Sequence, residues 1–318
     1  MDTTLLTALA TPDGRRVALV GKNGEVQVWQ LGPHRLVARL QIPGPHPLHS
    51  SLPPPIDLDA SGEMLAAAGE DGRVRVWRLE PLEVLLAGTP TPPGTTRITP
   101  DGRSLVHTGP RPVLSLALSK DGEMLATSDG AMVILWEIAT GAKRDSIWLE
   151  SRAGASFPVG RLTFATRSGL LLAGTWDGWV YGVDARRMRV EWLTDTRLGQ
   201  LRFLVLDPTD RYFAASGMPN GDVRLFDARS RAELCRFDVP FPQVANFSRN
   251  GYLLVVGDGR SGITVIEVRT CRILARYRDF AGSAWGAWFA PDCGSVIVSL
   301  NVTPRLYQRR MPGLADPC

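Results

Sequence analysis

Histidine is scarce in this 318-residue chain: there are four, and His34, His46 and His49 lie in or near one proline-rich stretch, "IPGPHPLHSSLPPP". Pro47 separates His46 from His49, and no cysteine, aspartate or glutamate follows before Asp57, so the ligand set of a metal site is missing. So few imidazoles also leave no Ser, His and Asp set to assemble. No glycine-rich phosphate loop follows a strand and opens a helix. Neither an enzymatic activity nor a cofactor or metal is expected. Cysteine is equally sparse, and Cys235, Cys271, Cys293 and Cys318 show no C-x-x-C spacing. They read as separate reduced thiols, which favours a cytoplasmic protein. Long apolar runs are absent too: nothing approaches the ~18 residues of a membrane span, and "MDTTLLTALATPDGRR" lacks the basic start and long apolar core of a secretory leader. Amphipathic helical stripes are missing. Lysine is nearly missing, with Lys22, Lys120 and Lys143 the only lysines among 36 basic residues.

The arginine excess, with a net charge of +4, is what codon supply in a GC-rich genome gives as readily as selection for binding. Arginines gather in "DARRMR" (Asp184 to Arg189), in "DARSR" (Asp227 to Arg231) and at Arg305, Arg309 and Arg310. These read as a solvated charged rim, and without interleaved aromatic residues a nucleic-acid partner is not expected.

What the chain has in quantity is glycine, 32 residues, and short alternating strands joined by Asp-Gly-like turns. "EDGRVRVWRLE" (Glu70 to Glu80) is one such unit: a turn, then a strand whose Val74 and Val76 share one face and whose Arg73, Arg75 and Trp77 share the other. The unit recurs as "NGEVQVWQ", "DGAMVILWE", "DGWVYGVD", "NGDVRLFD", "SGITVIE" and "TPRLYQ". From Trp29 through Trp77, Trp136, Val183, Phe226 and Ile266 to Tyr307 the spacings are 48, 59, 47, 43, 40 and 41 residues. A second punctuated strand precedes each, for example "ATPDGRRVALVG", "SKDGEMLATS" and "SRNGYLLVVG". Four short strands in each period of ~40 to 50 residues is the pattern of a propeller blade.

On these repeats, and most closely on "LAAAGEDGRVRVW" (Leu65 to Trp77) and the Pro12-Asp13-Gly14 turn, the chain resembles the WD40-repeat β-propellers, with degenerate repeats. The family's Gly-His dipeptide is missing, and its terminal Trp-Asp has become Trp-Gln, Trp-Arg, Trp-Glu, Val-Asp and Phe-Asp. The resemblance implies an all-β, seven-bladed propeller with blades over 4–40, 54–88, 112–147, 159–192, 201–237, 244–277 and 284–310. Residues 95–109 read as an inserted half-module, either a hairpin in the loop entering blade three or the remnant of an eighth blade.

By the same resemblance the function is that of a non-enzymatic scaffold that docks a protein partner on the face made by blade-entry loops and second-to-third-strand turns. Trp148, Arg152, Phe157, Trp176, Arg197, Arg202, Phe241 and Trp285 map to that face, and aromatic residues and arginines are the side chains enriched at interface hot spots. Trp179, three residues after Trp176 and on the strand, reads as packing between adjacent blades. Two alternatives stay open: a propeller enzyme or small-ligand binder using the axial channel, with Asp57, Asp59 and Arg161 as its polar groups, and nucleic-acid binding through the arginine clusters. At the ends of the chain, "TLLTALA" (Thr4 to Ala10) already reads as an innermost strand, and "MPGLADPC", with two prolines, is a poor strand former. Blade seven is therefore expected to have three strands and to pack directly on blade one, and its edge at Arg305 to Arg310 could accept a strand from a partner.

Overall fold

The computed structural model describes residues 5–42, 55–69, 73–80, 96–98, 104–107, 113–149, 157–219, 221–292, 294–301 and 303–311. Among them lie twenty-eight strands and no helix. Blade one is β1 (Leu5–Ala10), β2 (Arg16–Gly21), β3 (Glu25–Gln30) and β4 (Arg35–Gln41), hydrogen-bonded in that order. Blade two contains β5 (Ile56–Leu58), β6 (Met64–Ala68), β7 (Arg73–Arg78), β8 (Thr96–Ile98) and β9 (Ser104–His107). Blade three is β10 (Ser115–Leu118), β11 (Met124–Ser128), β12 (Met132–Glu137) and β13 (Lys143–Trp148). Blade four is β14 (Val159–Phe164), β15 (Leu170–Thr175), β16 (Trp179–Asp184) and β17 (Arg189–Asp195). Blade five is β18 (Gln200–Leu206), β19 (Tyr212–Met218), β20 (Asp222–Asp227) and β21 (Glu233–Asp238). Blade six is β22 (Pro242–Phe247), β23 (Leu253–Asp258), β24 (Ile263–Glu267) and β25 (Arg272–Tyr277), and blade seven is β26 (Ala284–Phe289), β27 (Ser295–Leu300) and β28 (Thr303–Arg310). The architecture is an all-β, seven-bladed propeller.

Two compact units make up the chain, one with blades five to seven and most of blade one, the other with blades two to four. In the first, apolar clusters fill the seams between neighbouring sheets: Ala214, Leu225 and Phe237 of blade five meet Leu254, Val256 and Ile266 of blade six. Blade one packs on blade seven through Leu5, Ala8 and Leu19 against Trp288 and Ile297. In the second, Ala66 and Val74 of blade two meet Leu118 and Trp136 of blade three. Burial of these faces is the main stabilising term. Polar groups of the innermost strands add ties across the seams. Leu118 N–H donates to Asp57 Oδ2 (2.8 Å), Leu162 N–H to Ser115 Oγ (3.0 Å), and Asn246 Nδ2 to the Ala287 carbonyl (2.8 Å).

At the repeat ends the aromatic side chains find local partners. Trp136 Nε1 donates to buried Thr127 Oγ1 (2.9 Å) in blade three, and Trp29 Nε1 to Gln27 Oε1 (3.1 Å) in blade one. In blade five Phe226 stands at the position of Trp136 and stacks on Phe213 of the neighbouring strand, with ring centroids 4.7 Å apart.

Two expectations are corrected. Among the described residues of the stretch 95–109, β8 and β9 form neither a separate hairpin nor part of another blade: β9 pairs with β7, Val74 opposite Leu105, and β8 pairs with β9. A third strand such as β7 leaves one row of N–H and C=O groups open, and β9 satisfies it. Nor are the cysteines all separate thiols, because Cys235 on β21 is bonded to Cys271 in the turn before β25, with Cα atoms 6.0 Å apart. Their sequence separation of 36 is close to one blade period, which brings the outer parts of neighbouring blades side by side. Blade seven has three strands among the described residues. The tail after Met311 lies outside them.

Candidate functional site

Five innermost strands share one irregularity near their first residue. Leu6, Gly160, Arg202, Gln243 and Trp285 each fall between two paired neighbours and have no partner in the adjacent strand. Such a bulge re-aims a side chain and ends regular pairing at the edge of the sheet.

In blades five and six the bulges organise a continuous patch. Arg202 donates through Nη1 to Gln243 Oε1 (2.9 Å) and through Nη2 to Met218 Sδ (3.3 Å), and Gln243 Nε2 donates to the Phe241 carbonyl (3.2 Å). Phe241 precedes β22 with φ +49°, a left-handed conformation that a bulky side chain rarely adopts. The same carbonyl accepts from Gly259 N–H (2.9 Å) in the β23–β24 turn, and the Arg260 guanidinium lies 4.6 Å from the centre of the Phe241 ring. The ring remains 53% exposed and Met218 43% exposed. Arg197, also left-handed at φ +55°, is exposed before β18, and Trp285 is half-buried on β26. The structure thus joins Arg202 and Phe241 with Arg260, whose hairpin turn the resemblance also places on this face, and adds Met218 and Gln243. Met218 carried no sequence signal, because an exposed strand end looks like any other methionine.

In the other unit Trp148 closes β13 with 52% exposure. Phe157 is half-buried, and Arg152 lies outside the described residues. Trp176 is half-buried and lies over Gly160: a Cβ on that glycine would come within 2.3 Å of Trp176 Nε1. Trp179 packs against the cluster between blades three and four. Among the rim arginines, Arg187 meets Asp184 (3.0 Å), Arg189 meets Glu191 (2.7 Å), and Arg309 meets Asp279 (2.8 Å).

The polar groups offered for channel chemistry are engaged in structural bonds. Asp59 accepts from Met64 N–H (2.8 Å) and from Ser61 in its turn, and Arg161 Nη1 donates to the Gly160 carbonyl (2.6 Å). Among the described residues no group of three or more His, Cys, Asp or Glu side chains could hold a metal ion, and no helix could cross a membrane. Burial pushes the Asp57 carboxyl above its ordinary value, against the pull of Lys120 and of the Leu118 and Leu58 N–H groups. A carboxyl raised in the fold binds its proton more tightly there than in the unfolded chain. Its contribution is therefore complete below the ordinary carboxylate range and falls as pH rises through the raised value. Asp57→Asn keeps an acceptor for Leu118 N–H and removes the charge. Urea unfolding at a series of pH values is expected to show the variant gaining on the wild type as pH rises from about 4. A constant difference across the series would contradict this.

Repeated, mostly four-stranded antiparallel sheets define the class of β-propellers. Residues 56–78 and 102–137 match the family model described as WD domain, G-beta repeat, and these matches support a WD40-repeat family assignment. The second match starts at β9, in the sheet of blade two, and ends on β12, the third strand of blade three. WD40 propellers are in general non-enzymatic scaffolds that bind protein partners. No curated protein is similar enough in sequence to count as a relative.

Proposed function

We propose that this chain is a non-catalytic scaffold whose protein partner docks on the blade-entry face of blades five and six, centred on Phe241. The observation that carries this reading is the exposed Phe241 ring, held in a left-handed backbone position beneath Arg260 and joined through Gln243 and Arg202 to exposed Met218. A large apolar side chain kept in water by a costly backbone conformation points to use at that position. Its arginine neighbours supply the polar handles common at interface hot spots.

The test is parallel affinity capture from the native cell with the wild type and with Phe241→Ala combined with Met218→Ala. The pair is expected to lose the wild type's most enriched partner, at a cost of ~2 kcal/mol or more in binding. Thermal unfolding should barely change, since both side chains are exposed. Undiminished capture of that partner would move the docking site elsewhere. The same comparison with Trp148→Ala, exposed on the other unit, asks whether blade three takes part.

A further inference from the structure

We propose that the bond between Cys235 and Cys271 is a permanent staple of the working protein, and that the chain therefore matures in an oxidising compartment. Cys235 stands on β21, the outer strand of blade five, and Cys271 ends the turn between β24 and β25 of blade six. The outer strands bury little: most of β21 and β25 is exposed or half-exposed. The apolar cluster between these blades thus thins toward the rim, and both cysteines pack against it there, partly buried.

The turn geometry explains why Cys271 reaches across. The turn from third to fourth strand holds one left-handed residue in each of blades three to six: Gly141 (φ +69°), Met188 (φ +45°), Arg231 (φ +65°) and Cys271 (φ +58°). In blade four that residue, Met188, is buried in the cluster between blades three and four and closes its seam by apolar contact. Cys271 occupies the equivalent position two seams along, with a side chain two heavy atoms shorter, and a covalent bond replaces the packing. A bond joining two sheets at a site of shared burial is placed to restrict their separation, not to regulate an exposed loop.

Closure needs an oxidant of the disulfide class. One thiolate attacks the co-reactant R–S–S–R and releases one R–SH. The second thiolate then displaces the other R–S group from the mixed disulfide, so two protein thiols and R–S–S–R become one protein disulfide and two R–SH. Such bonds persist in oxidising compartments and are rare where glutathione and thioredoxin keep thiols reduced. Unpaired thiols were the ground for expecting a cytoplasmic protein, and Cys235 and Cys271 no longer supply it.

Two measurements test the proposal. Cells making the protein from its own gene are treated with iodoacetamide before lysis, and the digest is analysed without reduction by mass spectrometry. The expected result is one cross-linked species joining the Cys235 and Cys271 peptides. Alkyl label on both cysteines in most molecules would overturn the proposal. In purified protein oxidised with glutathione disulfide, dithiothreitol is expected to lower the unfolding midpoint by roughly 5 °C or more. Cys235→Ala with Cys271→Met, which copies the Met188 plug, should be indifferent to the reductant. A wild type equally indifferent would show that the seam does not depend on the bond.

Discussion

Gly14→Ala is expected to destabilise the fold by about 3 kcal/mol or more, whereas Gly169→Ala, in the same turn of blade four, should cost only about 1 kcal/mol. The two glycines have nearly the same backbone, φ +67° and +71°. They differ in their surroundings. A Cβ on Gly14 would fall 2.3 Å from the Phe289 carbonyl oxygen on β26, while one on Gly169 would meet nothing within 4 Å. The conformational cost is common to both, so the excess measures how closely blade one must approach blade seven. Equilibrium urea unfolding of both variants checks it. Equal losses would mean that this seam yields to an extra methyl group and that close backbone contact there is unimportant.

A comparable loss, about 4 kcal/mol, is expected for Trp136→Ala. Trp136 is 1% exposed, sits in the cluster between blades two and three, and gives its indole N–H to Thr127. Trp136→Phe separates the two contributions: it keeps most of the packing but leaves the buried Thr127 hydroxyl without its donor, for about 1 to 2 kcal/mol. Calorimetry or denaturant unfolding of both variants gives the division. If the phenylalanine variant lost as much as the alanine variant, the hydrogen bond and not the packing would dominate.

The sheets were legible because their cause is local. An Asp-Gly-like turn followed by alternating residues fixes a hairpin wherever it stands, and its repetition fixes the number of blades. Features that depend on contact between repeats were not legible. Cys235 and Cys271 fit no motif, since their nearness arises only when successive blades are laid side by side. Residues 95–109 look like the start of a blade because their sequence carries the turn of a blade, and only the open edge of β7 decides which sheet receives β9 and, through it, β8. Trp176 and Phe241 look alike in sequence as aromatic residues near turns. The fold lays one over Gly160 and leaves the other in solvent beneath Arg260, a difference set by the neighbouring strand and by a left-handed φ.

The bulge near the start of the innermost strand has an evolutionary consequence. Leucine, glycine, arginine, glutamine and tryptophan occupy that position in five blades, a range no buried ladder position would tolerate. Released from pairing, the position places no demand of β-preference on its occupant, and only Gly160, beneath Trp176, is held to a minimal side chain. Drift at the other four points can rewrite what the surface recognises while the hydrogen-bonded framework stays untouched, so the same scaffold can change allegiance by single substitutions.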